Sequence, residues 1–147
     1  PLKRLLMNTT KMLISGIAGG IVSFFAGWLI YGMLLMNFMA ENSGTATGVM
    51  RPEAEMVWWS LILGNICTGI LYSYIFNRWA NISTLSAGLS AGAVIGLIMG
   101  ASFDLTMYGT SNMMGINAIW VDIAASAVLG AIVGGVVGWV NGMGKKA

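Results

Sequence analysis

LSAGLSAGAVIGLIMGASFDLTMYGTSNMMGINAIWVDIAASAVLGAIVGGVVGWVN, residues 85–141, holds two arms whose small residues are spaced alike. The outgoing arm carries Gly88, Gly92, Gly96 and Gly100, then Asp104 and Tyr108, each four residues from the last. The returning arm carries Asp122, Ser126, Gly130, Gly134, Gly138 and, just past the stretch, Gly142, again four apart. Residues at that spacing form one ridge of a helix, so each row is a packing face. Folding the arms together about Met113 sets Gly88 against Gly138, Gly92 against Gly134, Gly96 against Gly130 and Gly100 against Ser126. The same register sets Asp104 against Asp122. In lipid, small residues let two backbones approach until dispersion holds them. A chain with 21 glycines in 147 residues will show some four-residue rows by chance, but chance gives no reason for two rows in matching register. The mirror predicts a tight antiparallel helical hairpin with two carboxylates at one depth.

Outward from this hairpin, composition places the chain in a membrane. It is 57% hydrophobic and 8% charged, where a soluble domain carries about 25% charged residues. Hydropathy predicts one domain of four spans, at about 13–33, 56–76, 85–107 and 117–140. The uncharged run from Met12 to Ala40 is 29 residues, against about 7–15 for a signal-peptide core, so it reads as a true span. Its excess, from Met33 to Ala40, is expected to tilt or to lie along the outer surface. Pro1 is equally consistent with removal of an initiator Met and with truncation. Residues 41–55 form a polar connector, and Tyr31-Gly32 and Tyr108-Gly109 give a faint hint of a two-plus-two repeat.

Basic residues set the expected orientation. With both termini cytoplasmic, Lys3, Arg4, Lys11, Arg78, Lys145 and Lys146 lie inside and Arg51 alone outside, a clear positive-inside bias. Trp28, Tyr31, Trp58, Trp59, Tyr108 and Trp120 then form an outer aromatic belt, and Tyr72, Tyr74, Trp79 and Trp139 an inner one. All five acids, Glu41, Glu53, Glu55, Asp104 and Asp122, fall outside or in the outer leaflet.

The missing side chains exclude several chemistries. There is no histidine, which removes the commonest metal and haem ligand and the usual acid–base catalyst. The single Cys67, inside a span, permits neither an internal disulfide nor a thiolate cluster. The 12 methionines sit mostly singly in apolar spans, as packing material rather than copper ligands. A net charge of +2 is too small to imply nucleic acid. No enzyme motif and no cofactor site is expected.

The acidic outer mouth is the constellation with chemical content. Asp104, Asp122, Glu41, Glu53, Glu55 and Tyr108 are the candidate proton- or cation-binding residues. A carboxylate at mid-bilayer costs about 2.5–3.5 kcal/mol, and less near the interface, so each aspartate should face protein rather than lipid. Asp122, near a helix N-terminus, gains about 0.3–1 kcal/mol from the dipole, and Asp104, near a C-terminus, loses as much. The proton of a coupled pair is therefore expected on Asp104. Three roles are open to the pair: binding a proton or cation, locking two helices by a hydrogen bond, or pairing with Arg51. Asn65 and Thr68 are expected to hydrogen bond between helices, and Gly16 and Gly20 to pack within the bundle or against a second copy. Tyr31 is foremost an interfacial anchor.

Phe103-Asp104-Leu105-Thr106, followed by Val121-Asp122-Ile123, resembles the signature of an uncharacterised family of small four-helix bacterial integral membrane proteins. In that family an aromatic–Asp–Leu–Thr motif ends the third helix and a Val–Asp motif opens the fourth. Gly27-Trp28-Leu29 is a fainter echo. The resemblance implies a four-helix fold in the bacterial inner (plasma) membrane, and no activity. The expectation is an all-α bundle of four transmembrane helices, acting as a non-enzymatic interaction or accessory subunit. Its partners would be the lipid bilayer and other membrane subunits or further copies. An oligomeric proton- or cation-coupled transporter using Asp104 and Asp122 is the alternative, ahead of a lipid-modifying enzyme. A transporter should carry polar residues onward to the cytoplasmic side, whereas the ridge below the aspartates is glycine.

Overall fold

The computed structural model describes residues 2–144, with side chains from Asn8 onward. Lys3, Arg4, Lys145 and Lys146, which carry much of the expected orientation, lie outside the described side chains. The described chain is helical. α1 (Leu2–Leu29) runs on into a π-helical segment, Ile30–Leu34, and a short α2 (Met36–Glu41) follows. After the connector and its 3-10 turn, Glu53–Glu55, come α3 (Trp58–Tyr74) with its own π-helical extension, Ile75–Ala80, then α4 (Leu85–Thr110) and α5 (Ile116–Gly142).

Four of these stretches are long and apolar enough to cross a membrane: Asn8–Leu34, Trp58–Ala80, Leu85–Thr110 and Ile116–Gly142. At about 1.5 Å per residue, α4 and α5 reach roughly 40 Å, beyond a hydrocarbon core of about 30 Å. α4 starts at a local signal, Thr84, whose hydroxyl accepts from the Ala87 N–H at 3.2 Å. It outlasts the expected end at residue 107 because its polar tail serves its own carbonyls. Thr110 Oγ donates to Thr106 O at 2.8 Å and Ser111 Oγ to Met107 O at 2.7 Å. The segment expected to tilt or lie flat after Met33 becomes the end of the π turn and α2.

α1 and α3 form one antiparallel hairpin and α4 and α5 another. α5 is the central helix: it packs on α4, along α1, and on the second half of α3, whereas α4 packs chiefly on α5. Lys11 Nζ donates to Met143 O at 3.1 Å, which brings the first and last helices together at a terminal end of the bundle. At the opposite, loop end the connector is laced to the α4–α5 turn. Gly44 N–H donates to Met113 O and Ala46 N–H to Asn112 O, each at 3.0 Å, and Gly115 N–H to Asn42 O at 2.8 Å.

The α4–α5 seam is backbone against backbone. A Cβ on Gly88 would lie 3.2 Å from the Gly138 Cα, one on Gly92 2.9 Å from the Gly134 Cα, and one on Gly96 3.0 Å from the Gly130 Cα. One on Gly100 would lie 2.5 Å from the Ser126 Cβ, and carbonyl oxygens of the facing helix lie closer still to the first three. No ordinary side chain fits at these positions, so the rows set both distance and register. Tyr72 of α3 exploits the notch: its hydroxyl approaches Gly92 O at 3.5 Å, where a Cβ on Gly130 would stand 2.7 Å from it. Tyr72 packs with Phe76, Val133 and Val137 into the apolar core.

The first hairpin follows the same rule with polar members. Ser15, Gly19 and Ser23 of α1 face Ser73, Gly69 and Asn65 of α3. Ser15 and Ser73 hydroxyls meet at 2.6 Å, a Cβ on Gly19 would lie 3.5 Å from the Gly69 Cα, and Ser23 Oγ donates to Asn65 Oδ1 at 2.7 Å. Gly16 and Gly20 are used inside the bundle: a Cβ on Gly20 would lie 2.6 Å from the Ile66 Cα, and one on Gly16 3.0 Å from the Ile70 Cα. Asn65 thus makes an interhelical bond, but Thr68 does not. Its hydroxyl donates to Gly64 O of its own helix at 3.2 Å, the usual alternative for a mid-helix threonine.

Leucine at Gly96 or Gly134 would have to push the two helices apart, at a cost of about 3 kcal/mol or more, the upper range for overpacking. Ile98 is 62% exposed, so Ile98→Leu should change stability by less than about 0.5 kcal/mol. Melting temperatures of Gly96→Leu, Gly134→Leu and Ile98→Leu in one detergent check this. Equal tolerance at the three positions would refute the seam.

Candidate functional site

Asp104 stands six residues before the last residue of α4, Thr110, and Asp122 six after the first of α5, Ile116. Each is roughly 9 Å inside its helix end. The glycine register continues through Gly100 and Ser126 to this level, and the two carboxyls interact directly across the seam. At that depth the dipole argument weakens, because the effect fades within one terminal turn. The asymmetry within the pair has another source.

That source is Tyr31. α1 passes here into the π-helical segment Ile30–Leu34, a local irregularity frequent at functional sites. Tyr31 is half-buried there and its hydroxyl donates to Asp122 Oδ1, tying α1 to the second hairpin. Ser126, one turn from Asp122, also adjoins the tyrosine hydroxyl. Asp122 is partly exposed and holds a phenolic donor. Asp104 is 3% exposed, and its Oδ2 has no hydrogen-bond partner among the described residues. Asp122 therefore has a donor from outside the pair, while the buried Asp104 Oδ2 has none.

The other candidates are elsewhere. Glu41 ends α2, Glu53 and Glu55 lie in the 3-10 turn, and all three are exposed on the connector. Tyr108 is 46% exposed on α4. Arg51 is exposed too, and the charged group acting on Asp104 is Asp122 rather than this arginine. Among the described residues no group of three His, Cys, Asp or Glu side chains could hold a metal ion. The structure therefore gathers Asp104, Asp122, Ser126 and Tyr31, and not the glutamates or Tyr108.

A second polar cluster occupies the terminal end. Ser73 Oγ donates to Met12 O at 2.6 Å. The Asn77 amide donates to Ser73 O at 2.8 Å and to Asn141 Oδ1 at 3.1 Å, and Asn141 donates to Ile82 O at 3.1 Å. Arg78 donates to Thr9 Oγ at 2.8 Å. Asn77 and Arg78 sit in the second π-helical segment, which closes with Asn81 in the left-handed region at φ 51°. These groups mutually satisfy hydrogen bonds of α1, α3 and α5 and leave no orphaned atom of the Asp104 kind.

Sequence reasoning underrated Tyr31 and passed over this terminal cluster. A signal for both exists: Lys11, Ser15, Gly19, Ser23, Gly27 and Tyr31 are spaced by four on α1, as are Asn65, Gly69, Ser73 and Asn77 on α3.

Tyr31→Phe removes the donor to a charged acceptor and should cost about 1.5–3 kcal/mol. Asp122→Asn weakens the same bond, so the double variant should cost clearly less than the sum of the singles. Unfolding in detergent measures the cycle, and strict additivity would show that the two side chains do not communicate.

Compared with known proteins, the chain matches no family model, no curated protein and no solved structure.

Proposed function

We propose that this is a non-enzymatic four-span membrane protein acting as an interaction or accessory subunit, with both termini in the cytoplasm and the acidic connector outside. The six-to-one distribution of basic residues supports the orientation. The family resemblance at residues 103–106 and 121–123 points to a bacterial inner membrane.

The observation that carries the reading is closure at mid-depth. Polar rungs do occur toward the terminal end, at Ser23–Asn65 and again at Ser15–Ser73. Eight residues, about 12 Å of helix, separate the two rungs. That interval is filled by Gly16, Gly19 and Gly20 pressed against Ile66, Gly69, Ile70 and Val137. The α4–α5 seam is closed just as tightly. Neither hairpin offers a polar route between the two ends, which weighs against transport by a single copy. α4, packed chiefly on α5, leaves Leu89, Val94, Leu97, Ile98 and Phe103 facing outward, a broad face available to lipid or to a neighbouring subunit.

Two measurements test this reading. In a Cys67→Ser background, cysteine at Ser43 should react with an impermeant reagent applied to whole cells, and cysteine at Ser83 should not; the reverse pattern would overturn the orientation. Vesicles containing the purified protein should show no proton or alkali-cation flux above empty vesicles. A flux abolished by Asp122→Asn would replace the accessory role with the transporter.

A further inference from the structure

The buried Oδ2 of Asp104 is the one orphaned side-chain polar atom among the described residues. It lies in a group 3% exposed, and the carboxyl it belongs to faces another carboxyl. Two carboxylates offer only acceptors to each other, so neither can satisfy the other unless a proton lies between them. An uncompensated buried charge is costly enough that such a group neutralises instead.

The surroundings narrow the ligand. The titratable groups acting on the pair are the two carboxyls and Tyr31, whose hydroxyl is already donated to Asp122 Oδ1. α4 and α5 carry no basic residue. Lys11, the basic residue of α1 among the described side chains, donates to Met143 O at the other end, and Arg51 with Glu41, Glu53 and Glu55 stays on the exposed connector. A calcium ion takes about 6–8 oxygen ligands, and a magnesium ion near-ideal octahedral geometry. The seam below the pair is closed by Gly100 against Ser126, where even a methyl group would come within 2.5 Å of the serine Cβ. A proton needs no such space.

We propose that Asp104 and Asp122 form a proton-binding site that holds one proton in the folded protein, carried on Asp104 and donated to the Asp122 carboxylate, with Tyr31 donating from the other side. Asp122 then accepts from both sides, and the contact between the carboxyls gains the donor that two carboxylates lack. The proton closes the loop end of the α4–α5 seam, so the stability of that end depends on the pH it meets. This goes beyond an accessory role and stands or falls separately from it.

Linkage sets the direction. In the unfolded chain both aspartates are ionised above about pH 5. The folded pair keeps one proton there, so the folded state binds one proton more than the unfolded state, and stability falls as pH rises. The folding equilibrium constant should drop about tenfold per pH unit until the native pair releases its proton.

The test uses the full chain in detergent. At about pH 7, where exposed glutamates are ionised, infrared spectra should show a protonated-carboxyl C=O band. That band should shift when aspartate carrying heavy carbon in its side-chain carboxyl is incorporated, which needs no mutant. Asp104→Asn should fold, because an amide still donates to Asp122, and should lose both the band and the pH slope. Asp122→Asn should be costlier, since it removes the charged acceptor of both donors. Absence of an aspartate band in the wild type would overturn the proposal, as would a pH slope unchanged by Asp104→Asn. Stabilisation by sodium or potassium at constant pH, without the band, would overturn it in favour of a metal cation.

Discussion

Backbone contact between α4 and α5 is the constraint from which the other features follow. In lipid a helix gains nothing by hiding apolar side chains, because the solvent is as apolar as they are. What remains is dispersion between surfaces close enough to touch, and glycine rows permit the closest approach. The contact sets a register along with a distance, since every glycine must meet a gap opposite. Moving either helix by one turn would carry Ser126 past Gly100 and Asp104 past Asp122. The carboxyl pair is therefore a consequence of packing some turns away from it.

The first hairpin solves the same problem with polar rungs. Ser15–Ser73 and Ser23–Asn65 bracket the Gly19–Gly69 approach, so close packing at the centre is flanked by hydrogen bonds on both sides. Such bonds contribute modestly, about 0.6 kcal/mol each on average, but they specify register as the glycines do. α5 then joins the hairpins through Val133 and Val137, which meet Tyr72 and Phe76 of α3, and through Val137 against Gly19 of α1.

Two π-helical segments carry polar groups at opposite ends of this scaffold. One carries Tyr31, which donates to Asp122; the other carries Asn77, bonded to Ser73 and Asn141, and Arg78, bonded to Thr9. Each irregularity lies where a long apolar helix reaches its end.

Composition, hydropathy and the four-residue spacing were enough to read an all-α chain with four apolar spans, because both signals are local and repeat along one helix. They also allowed Asp104 to be paired with Asp122, since a short turn leaves antiparallel arms a single natural register. The first hairpin was less legible. Its arms are separated by the long connector, and its rungs mix serine, asparagine and glycine, so no single residue type marks the row. Tyr31 was the greater gap: it continues the four-residue row of α1, but that row mixes lysine, serine, glycine and tyrosine and so does not announce one face. Only the tertiary structure decided that Asp122 receives a donor while Asp104 is buried without one, because that difference comes from which third helix leans against the seam.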